Sequence, residues 1–427
     1  MTKSAATQSD TTTVGAQFIA PAVGEVMNGW RKYKTSSLID DGLLTIGDGY
    51  RAKNSELVQT GLAFARAGNI NNGFLFDGAD CLPESYVEIA GEKVSRVGDV
   101  VFTSKGTVGR FGFVRDGIAK FVYSPQLCFW RSKNHNEIDP RFLYYWMHGK
   151  EFLDQVESVK GQTDMADYVN LSDQRNMSIT LPAPKDQKAI AAMLSSLDDK
   201  IDLLHRQNQT LEAMAQTLFR QWFIEEARED WETKKIKDLV EIQSGFAFKS
   251  STFSDVGKYK LITIKAVQDG YLDITNADEI DFIADKVPSY CILVKNDILL
   301  SLTGNVGRCC LVDRTNLLLN QRVAKLKPIE DSNWAFTYIL FRQTAMKQNL
   351  EDLSKGSAQA NLSPIETGLI EIVVPKDDFF IKFSAEVTPL MLKVMSNKIQ
   401  IQTLTQLRDT LLPKLMSGEI RVEVEYE

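Results

Sequence analysis

The chain contains no apolar run approaching the roughly 18–20 residues that a bilayer-spanning helix requires, so it is not read as a membrane protein. Its three histidines, His135, His148 and His205, lie far apart, and no two stand at ligand spacing. A zinc centre is therefore not expected. The five cysteines (Cys81, Cys128, Cys291, Cys309 and Cys310) form no CxxC pair and are expected to be reduced and buried. Positive net charge is also lacking: the formal charge is −7, which argues against a purely electrostatic, non-specific ligand for nucleic acid. A local basic strip remains compatible with an acidic average. Residues 1–28 are rich in Ser, Thr and Ala without the apolar core of a signal peptide. They read as a partly disordered arm on a cytoplasmic protein.

Catalytic signatures are missing as well. There is no Asn/Asp-Pro-Pro-Tyr/Phe run of an amino-methyltransferase, no glycine-rich dinucleotide fingerprint and no Walker A loop. One stray nuclease-like match, Glu232-Thr233-Lys234, has no acidic partner on a nearby strand. Three scattered histidines make no nucleophilic triad. What remains is an ordinary globular composition, 44% hydrophobic and 25% charged, in 427 residues, enough for two or three domains.

The positive feature is internal repetition. Residues 98–110 (GDVVFTSKGTVGR) align with residues 296–308 (NDILLSLTGNVGR), with Asp99 on Asp297 and Arg110 on Arg308 at a constant offset of 198. Short β-like runs split by Gly, Asn and Asp fill 29–182 and again 229–375: Gly42–Ile46, Val97–Thr103, Phe111–Val114 and Leu127–Trp130, then Lys260–Ile264 and Asp297–Leu302. One helix is expected in each, from Pro140 to about Val156 and from about Asn333 to Leu350. Each such segment precedes a heptad helix, in 183–228 and 376–427. The first seam reads Ile190, Leu194, Leu197, Ile201, Leu204, Asn208, Leu211, Ala215, Leu218, Trp222. The second reads Phe383, Val387, Leu390, Val394, Asn397, Ile401, Leu404, Arg408, Leu411, Leu415. Alternating steps of four and three predict a coiled coil, and Asn208, Asn397 and Arg408 would fix its register.

The fold class predicted is α+β. Two mixed domains are separated by an antiparallel coiled coil of two long helices, with an internal pseudo-two-fold repeat. The alternative is two amphipathic helices, each packed on its own domain. Helices of about 40 residues are roughly 60 Å long, and would let two domains touch one face of B-DNA about two turns apart.

Three repeated loops supply candidate DNA contacts. The Gly-x-Val-Gly-Arg turns offer Lys105, Thr107 and Arg110 in the first half, and Asn305 and Arg308 in the second. Tight β-turns alone also explain their glycines. A more polar loop offers Lys160 and Gln162, and again Lys355, Ser357 and Gln359; a solvated cap is its plainer explanation. Glutamine reads adenine edges and lysine favours guanine or phosphate. The third pair offers Arg66 and Asn69, then Lys265 and Gln268, in stretches that otherwise read as hairpin turns. Readers should differ where frames agree, as Gln162 differs from Ser357 and Thr107 from Asn305.

Two further stretches are specific. Residues 181–201 (LPAPKDQKAIAAMLSSLDDKI), running on through 210–219 (TLEAMAQTLF), resemble the central conserved region of the DNA-specificity subunits of type I restriction–modification systems. Residues 407–420 (LRDTLLPKLMSGEI) resemble their C-terminal conserved region. The resemblance covers nearly everything after the N-terminal arm and is weaker in the two variable domains. It implies two target-recognition domains, each reading half of a bipartite double-stranded DNA site. It implies helices that space the domains and dock two methyltransferase subunits, and a restriction translocase joining through the complex. The methyltransferases bind S-adenosylmethionine, so no cofactor is expected on this chain, and no catalytic residues. One departure is that residues 380–385 (FIKFSA) replace the Gln-Lys-Ala-Ile-Ala segment in the second helix, so the two docking surfaces need not be equivalent. A docking scaffold or decoy that does not read DNA is the alternative from another class.

Overall fold

The computed structural model describes residues 16–19, 29–71, 73–160, 168–355, 361–375 and 377–424. The chain divides into two compact units, one of residues 1–199 with 405–427, the other of residues 200–404.

In the first unit a four-stranded antiparallel sheet has the order Leu44–Asp48, Leu127–Ser132, Val100–Thr103, Phe111–Phe113. A three-stranded sheet places Leu62–Ala65 between Cys81–Leu82 and Phe121–Tyr123, the last pairing being parallel. Arg31–Lys34 pairs with Ser178–Leu181 and closes the domain at its base. The central strands are buried along their whole length, as Val100–Thr103 and Leu127–Ser132 require for strands covered on both faces. Helices Pro140–His148 and Lys150–Val159 cover one face, burying Phe142, Trp146 and Phe152 against Trp130. These are two helices where the sequence predicts one. Gly149, in extended conformation, separates them, and glycine is the residue least committed to continuing a helix.

The second unit repeats this plan with one added strand, Ile292–Leu293, beside Leu317–Leu319 in its smaller sheet. Val240–Ser244, Val323–Pro328, Ile298–Ser301 and Cys309–Leu311 form the antiparallel sheet. Tyr259–Ile262 runs parallel to Leu317–Leu319 in the other, and Glu232–Lys235 pairs with Glu371–Val374. Its helices, Trp334–Phe341 and Thr344–Lys355, again replace one expected helix.

The long helices span Pro184–Arg220 and Asp377–Met416, 37 and 40 residues. In the first unit Ile190 and Leu194 are buried with Leu411 and Leu415, and Leu197 is partly buried beside them. There the start of the central helix meets the end of the C-terminal one. In the second unit the end of the central helix meets the start of its partner: Phe219 and Phe223 lie within 6.1 Å and 4.9 Å of Phe383, centroid to centroid. Both pairings are antiparallel. Ile201, Leu204, Asn208, Phe383, Val387, Val394 and Asn397 are buried, whereas Leu211, Leu218, Leu390, Ile401 and Leu404 are half-buried. Beyond Asn208 the buried stripe runs Ala215, Phe219, Phe223. The step changes there from alternating four and three to four and four, because this stretch packs on the second domain's aromatic core and not only on its partner helix. A single π-turn, Gln221–Glu225, ends it. The C-terminal helix stops in a left-handed cap at Gly418, φ 72°.

A second tie holds each domain to its helix stretches. In the first unit Asp198 accepts from the Tyr145 hydroxyl at 2.6 Å and from Arg408 at 2.9 Å, while Asp199 takes Arg115 at 3.1 Å. Burial opposes charge on the Arg408 guanidinium, but its bonds to Asp198 and Asp409 raise its pKa above the ordinary arginine value. In the second unit Glu212 takes Arg342 and Lys398, each at 3.3 Å, and Gln402 donates to Asp313 at 2.7 Å. Asn397 donates to Asn208 at 2.9 Å inside the helix pair. Its own Oδ1 is buried with no hydrogen-bond partner among the described residues.

Candidate nucleic-acid interface

The loop end of each domain is built on one hydrogen-bonded frame. In the first unit Thr103 Oγ1 donates to the Thr107 carbonyl at 2.5 Å and accepts from the Arg110 amide at 3.0 Å. In the second, Ser301 Oγ donates to the Asn305 carbonyl and accepts from the Arg308 amide at 3.0 Å. A hydroxyl is needed at this position because the turn would otherwise leave both backbone groups unpaired. Gly106 and Gly109 stand at φ 81° and 99°, and Gly304 and Gly307 at 73° and 79°, a region closed to most side chains.

The frame is anchored from below by charge. Asp99, fully buried, receives Arg131 Nε at 2.6 Å and the Tyr123 hydroxyl at 2.6 Å. Burial first, and then the Asp99 carboxylate, push the Tyr123 phenol well above its ordinary value. The equivalent Asp297 has a simpler partner, Lys325 at 2.8 Å.

Two of the three loops singled out in the sequence meet at this end. Arg110 Nη1 donates to the Ala67 carbonyl at 3.4 Å, and Arg308 Nη1 to the Gln268 side chain. Both arginines thereby hold the neighbouring loop. Asn69 is occupied within its own turn, accepting from the Arg66 amide at 2.8 Å and donating to the Leu75 carbonyl at 2.9 Å. Gln268 likewise donates to the Lys265 carbonyl at 2.8 Å, and the Lys265 side chain is exposed. Arg66 is half-exposed, paired to Asp80 at 2.7 Å and lying over Phe64. Lys105 bridges through its backbone to Tyr168, whose ring lies 5.8 Å from its ammonium. Thr303, its counterpart, bridges to Asn361. Thr107 and Asn305 are exposed at the turn tips. Lys160, at a helix end, lies 3.5 Å from Glu157, and Lys355 lies 2.8 Å from Asp352. Gln162, Ser357 and Gln359 lie outside the described residues.

Three residues absent from the sequence argument complete the site. Arg51, Asn54 and Gln126 line a cleft of about 480 Å³ together with Phe64, Arg66 and Lys105. Gln126 Oε1 also accepts from the Ala67 amide at 3.2 Å. The repeat holds the signal that finds them. Gly49 and Gly245 each lie so close to the facing strand that a Cβ would sit 2.0 Å from the Ser124 oxygen and 2.1 Å from the Asn320 oxygen. The cleft wall begins just after Gly49, and Gln126 follows Ser124 by two. In the second unit the corresponding positions hold Ala247 and Arg322. There the nearest cleft, about 410 Å³, is aromatic, with Phe246, Phe248, Phe253 and Phe282 and with Lys249 and Lys286 in its lining. Among the described residues no group of three or more His, Cys, Asp or Glu is placed to hold a metal, and no helix is long and apolar enough to cross a membrane.

The family model for the type I restriction modification DNA specificity domain matches this chain twice, over residues 41–213 and 228–378. The chain belongs to that family. Its two domains are the target-recognition domains of a type I specificity subunit, and the long helix from Pro184 runs between them. The specificity subunit of the type I restriction enzyme HindI from Haemophilus influenzae is 23% identical over 438 residues, covering 84% of this chain and 94% of that one. The MjaIX specificity subunit from Methanocaldococcus jannaschii is 25% identical over 363 residues, covering 80% and 82%. The crystal structure of the type I restriction-modification S subunit from M. genitalium shares the fold at a TM-score of 0.61 and 19% identity, over 93% of this chain and 99% of that one. Family membership implies sequence-specific DNA recognition.

Proposed function

We propose that each target-recognition domain reads one half of a bipartite, gapped DNA site, without catalytic chemistry of its own. The paired helices set the gap and dock two methyltransferase subunits, and restriction subunits join through the complex. One observation carries the reading. The same hydroxyl-locked frame is built twice, at Thr103 and Ser301, while its neighbours at the loop end differ between copies. Arg51, Lys105 and Gln126 in the first domain stand against Ala247, Thr303 and Arg322 in the second. A frame repeated with different readers is what an asymmetric two-part site demands. The helix lengths suit a spacer, since 37 residues make roughly 55 Å, the rise of about one and a half turns of B-DNA.

Co-expression with the cognate methyltransferase in a methylation-free host, followed by long-read mapping of N6-methyladenine, tests this. The expected result is a single asymmetric motif with an unread gap, absent without this chain. No motif, or one contiguous palindrome, would overturn it. Lengthening both helices by one heptad, near Gln207 and Gln400, should widen the gap by about three base pairs; an unchanged gap would sink the spacer role.

A further inference from the structure

The two recognition domains differ most where the second carries its aromatic cleft. Phe246 and Phe248 lie one and three residues after Gly245, on the loop that in the first domain supplies Arg51. Their rings stand edge to face at 5.1 Å. Phe282 lies at the mouth, 78% exposed, an unusual cost for a large apolar ring, and Val256 on the adjoining loop is 81% exposed. Lys249 and Lys286 flank the opening, with the Lys286 ammonium 5.9 Å from the Phe246 ring. Asp281 lines the cleft and makes no hydrogen bond or ion pair among the described residues.

In the first domain this space is filled. The short helix Tyr86–Ala90 brings Tyr86 to 5.9 Å from Tyr50, edge to face, and Tyr50 donates to Glu56 at 3.3 Å. Two residues after the short strand Glu279–Ile280, the second domain presents Phe282 to solvent in place of that closing helix.

Flat apolar walls, cations at the mouth and one free carboxylate match the chemistry of a nucleotide. The rings stack on the base, the lysines face the flanking phosphates, and the carboxylate accepts from an exocyclic amino group. We propose that the cleft of Phe246, Phe248, Phe253 and Phe282 takes a base unstacked from the half-site that the second domain reads. Asp281 accepts from the exocyclic amino group of that base. This inference rests on the DNA-reading role proposed above. It divides the labour, with the first domain holding its half-site through cations and the second through stacking and local unstacking.

The test uses the full chain in complex with its methyltransferase subunits and duplexes carrying the mapped site. A fluorescent base analogue, 2-aminopurine at purines or pyrrolocytosine at cytosines, is placed singly along the second half-site, away from the methylated adenine. One position should brighten on binding. Phe282→Ala should abolish that signal and weaken binding roughly 5- to 150-fold, and Phe282→Trp should restore both. Asp281→Asn should relax the preference for an amino-bearing base at that position. Tight binding of the duplex with no brightening at any position overturns the proposal. So does a Phe282→Ala chain that binds DNA normally but loses its methyltransferase, which would make the cleft a protein-docking surface. A complex that binds no gapped duplex at all fails the underlying reading, and the two failures are told apart by that binding measurement.

Discussion

The first recognition domain anchors its loop frame with Asp99, Arg131 and Tyr123 and edges it with Arg51, Arg66 and Lys105. The second anchors the same frame with Asp297 and Lys325 and edges the nearby cleft with phenylalanines. The backbone plan, the turn and its hydroxyl lock are common to both. Divergence falls on the anchor's partners, on the short helix Tyr86–Ala90 that only the first domain has among the described residues, and on side chains that the frame does not use. A duplicated domain can therefore change what it touches without changing how it folds, provided the buried anchor is kept in some form.

The anchor is where that comparison breaks most easily. Arg131→Leu leaves Asp99 buried beside Tyr123 without its cation, and should destabilise the first domain by about 3–5 kcal/mol. Lys325→Met removes a single-point contact from the largely buried pair with Asp297, and should cost the second domain about 1–3 kcal/mol. Hydrogen exchange resolved by peptide assigns each loss to its own domain. Equal costs would show that the extra bonds around Asp99 contribute nothing.

The cations sharpen the contrast next. Replacing Arg51, Arg66 and Lys105 together with glutamine should lower the slope of log affinity against log salt by about three, at roughly 0.9 per phosphate contact. Between 50 and 200 mM salt the wild-type complex then loses roughly 40-fold more affinity than the variant. Arg322→Gln in the second domain should lower the slope by about one at most. A triple variant with unchanged slope would remove this cleft from the DNA path.

The helix stretches carry the same contrast on a smaller scale. Each unit bridges its stretch with an ion pair, Asp198–Arg408 in the first and Glu212–Lys398 in the second, but the second adds the neutral Asn208–Asn397 pair, which leaves a bare buried carbonyl. Replacing both asparagines with leucine should raise stability by about 1 kcal/mol, while Asn397→Leu alone should gain nothing because Asn208 is then stranded. A denaturant midpoint unchanged in the double variant would mean that the bare carbonyl is not a cost.

The helices and the turn were legible in sequence for one reason: each is local and occurs twice, so offset and period mark it. The cleft was not, because Arg51, Arg66, Lys105 and Gln126 come from four separate loops with no shared spacing. Only the glycines at 49 and 245, pressed against the opposing strand, betray that the first of these loops is fixed. Arg110 and Arg308 were read as loop-tip contacts from their place after the turn; a sequence does not show that a guanidinium folds back to Ala67 or Gln268. Phe219 and Phe223 fell outside the heptad because the helix there answers to the domain core as well as to its partner helix. The two helix breaks differ similarly. Gly149 is a visible signal, whereas Arg342 and Gln343 interrupt their helix without one.

The smallest expected asymmetry is in acid. His148 in the first unit is half-buried between Phe111 and Tyr144, each ring centroid 4.5 Å away, and its Nδ1 hydrogen donates to the Tyr144 carbonyl at 2.9 Å. Burial lowers its pKa, and this outweighs the pull of the Tyr144 carbonyl and of Asp198. The second unit holds only the exposed His205. A depressed base protonates in the unfolded chain before it does in the fold. Its contribution is therefore complete above the unfolded value of about 6.5, and is lost as pH falls below that toward the folded pKa. The first unit should lose exchange protection as pH falls below about 6.5 while the second does not. His148→Phe keeps the ring contacts without the titrating nitrogen and should flatten the first unit's profile. A wild-type first unit whose protection is level across that window would show that the imidazole stays solvated in the fold.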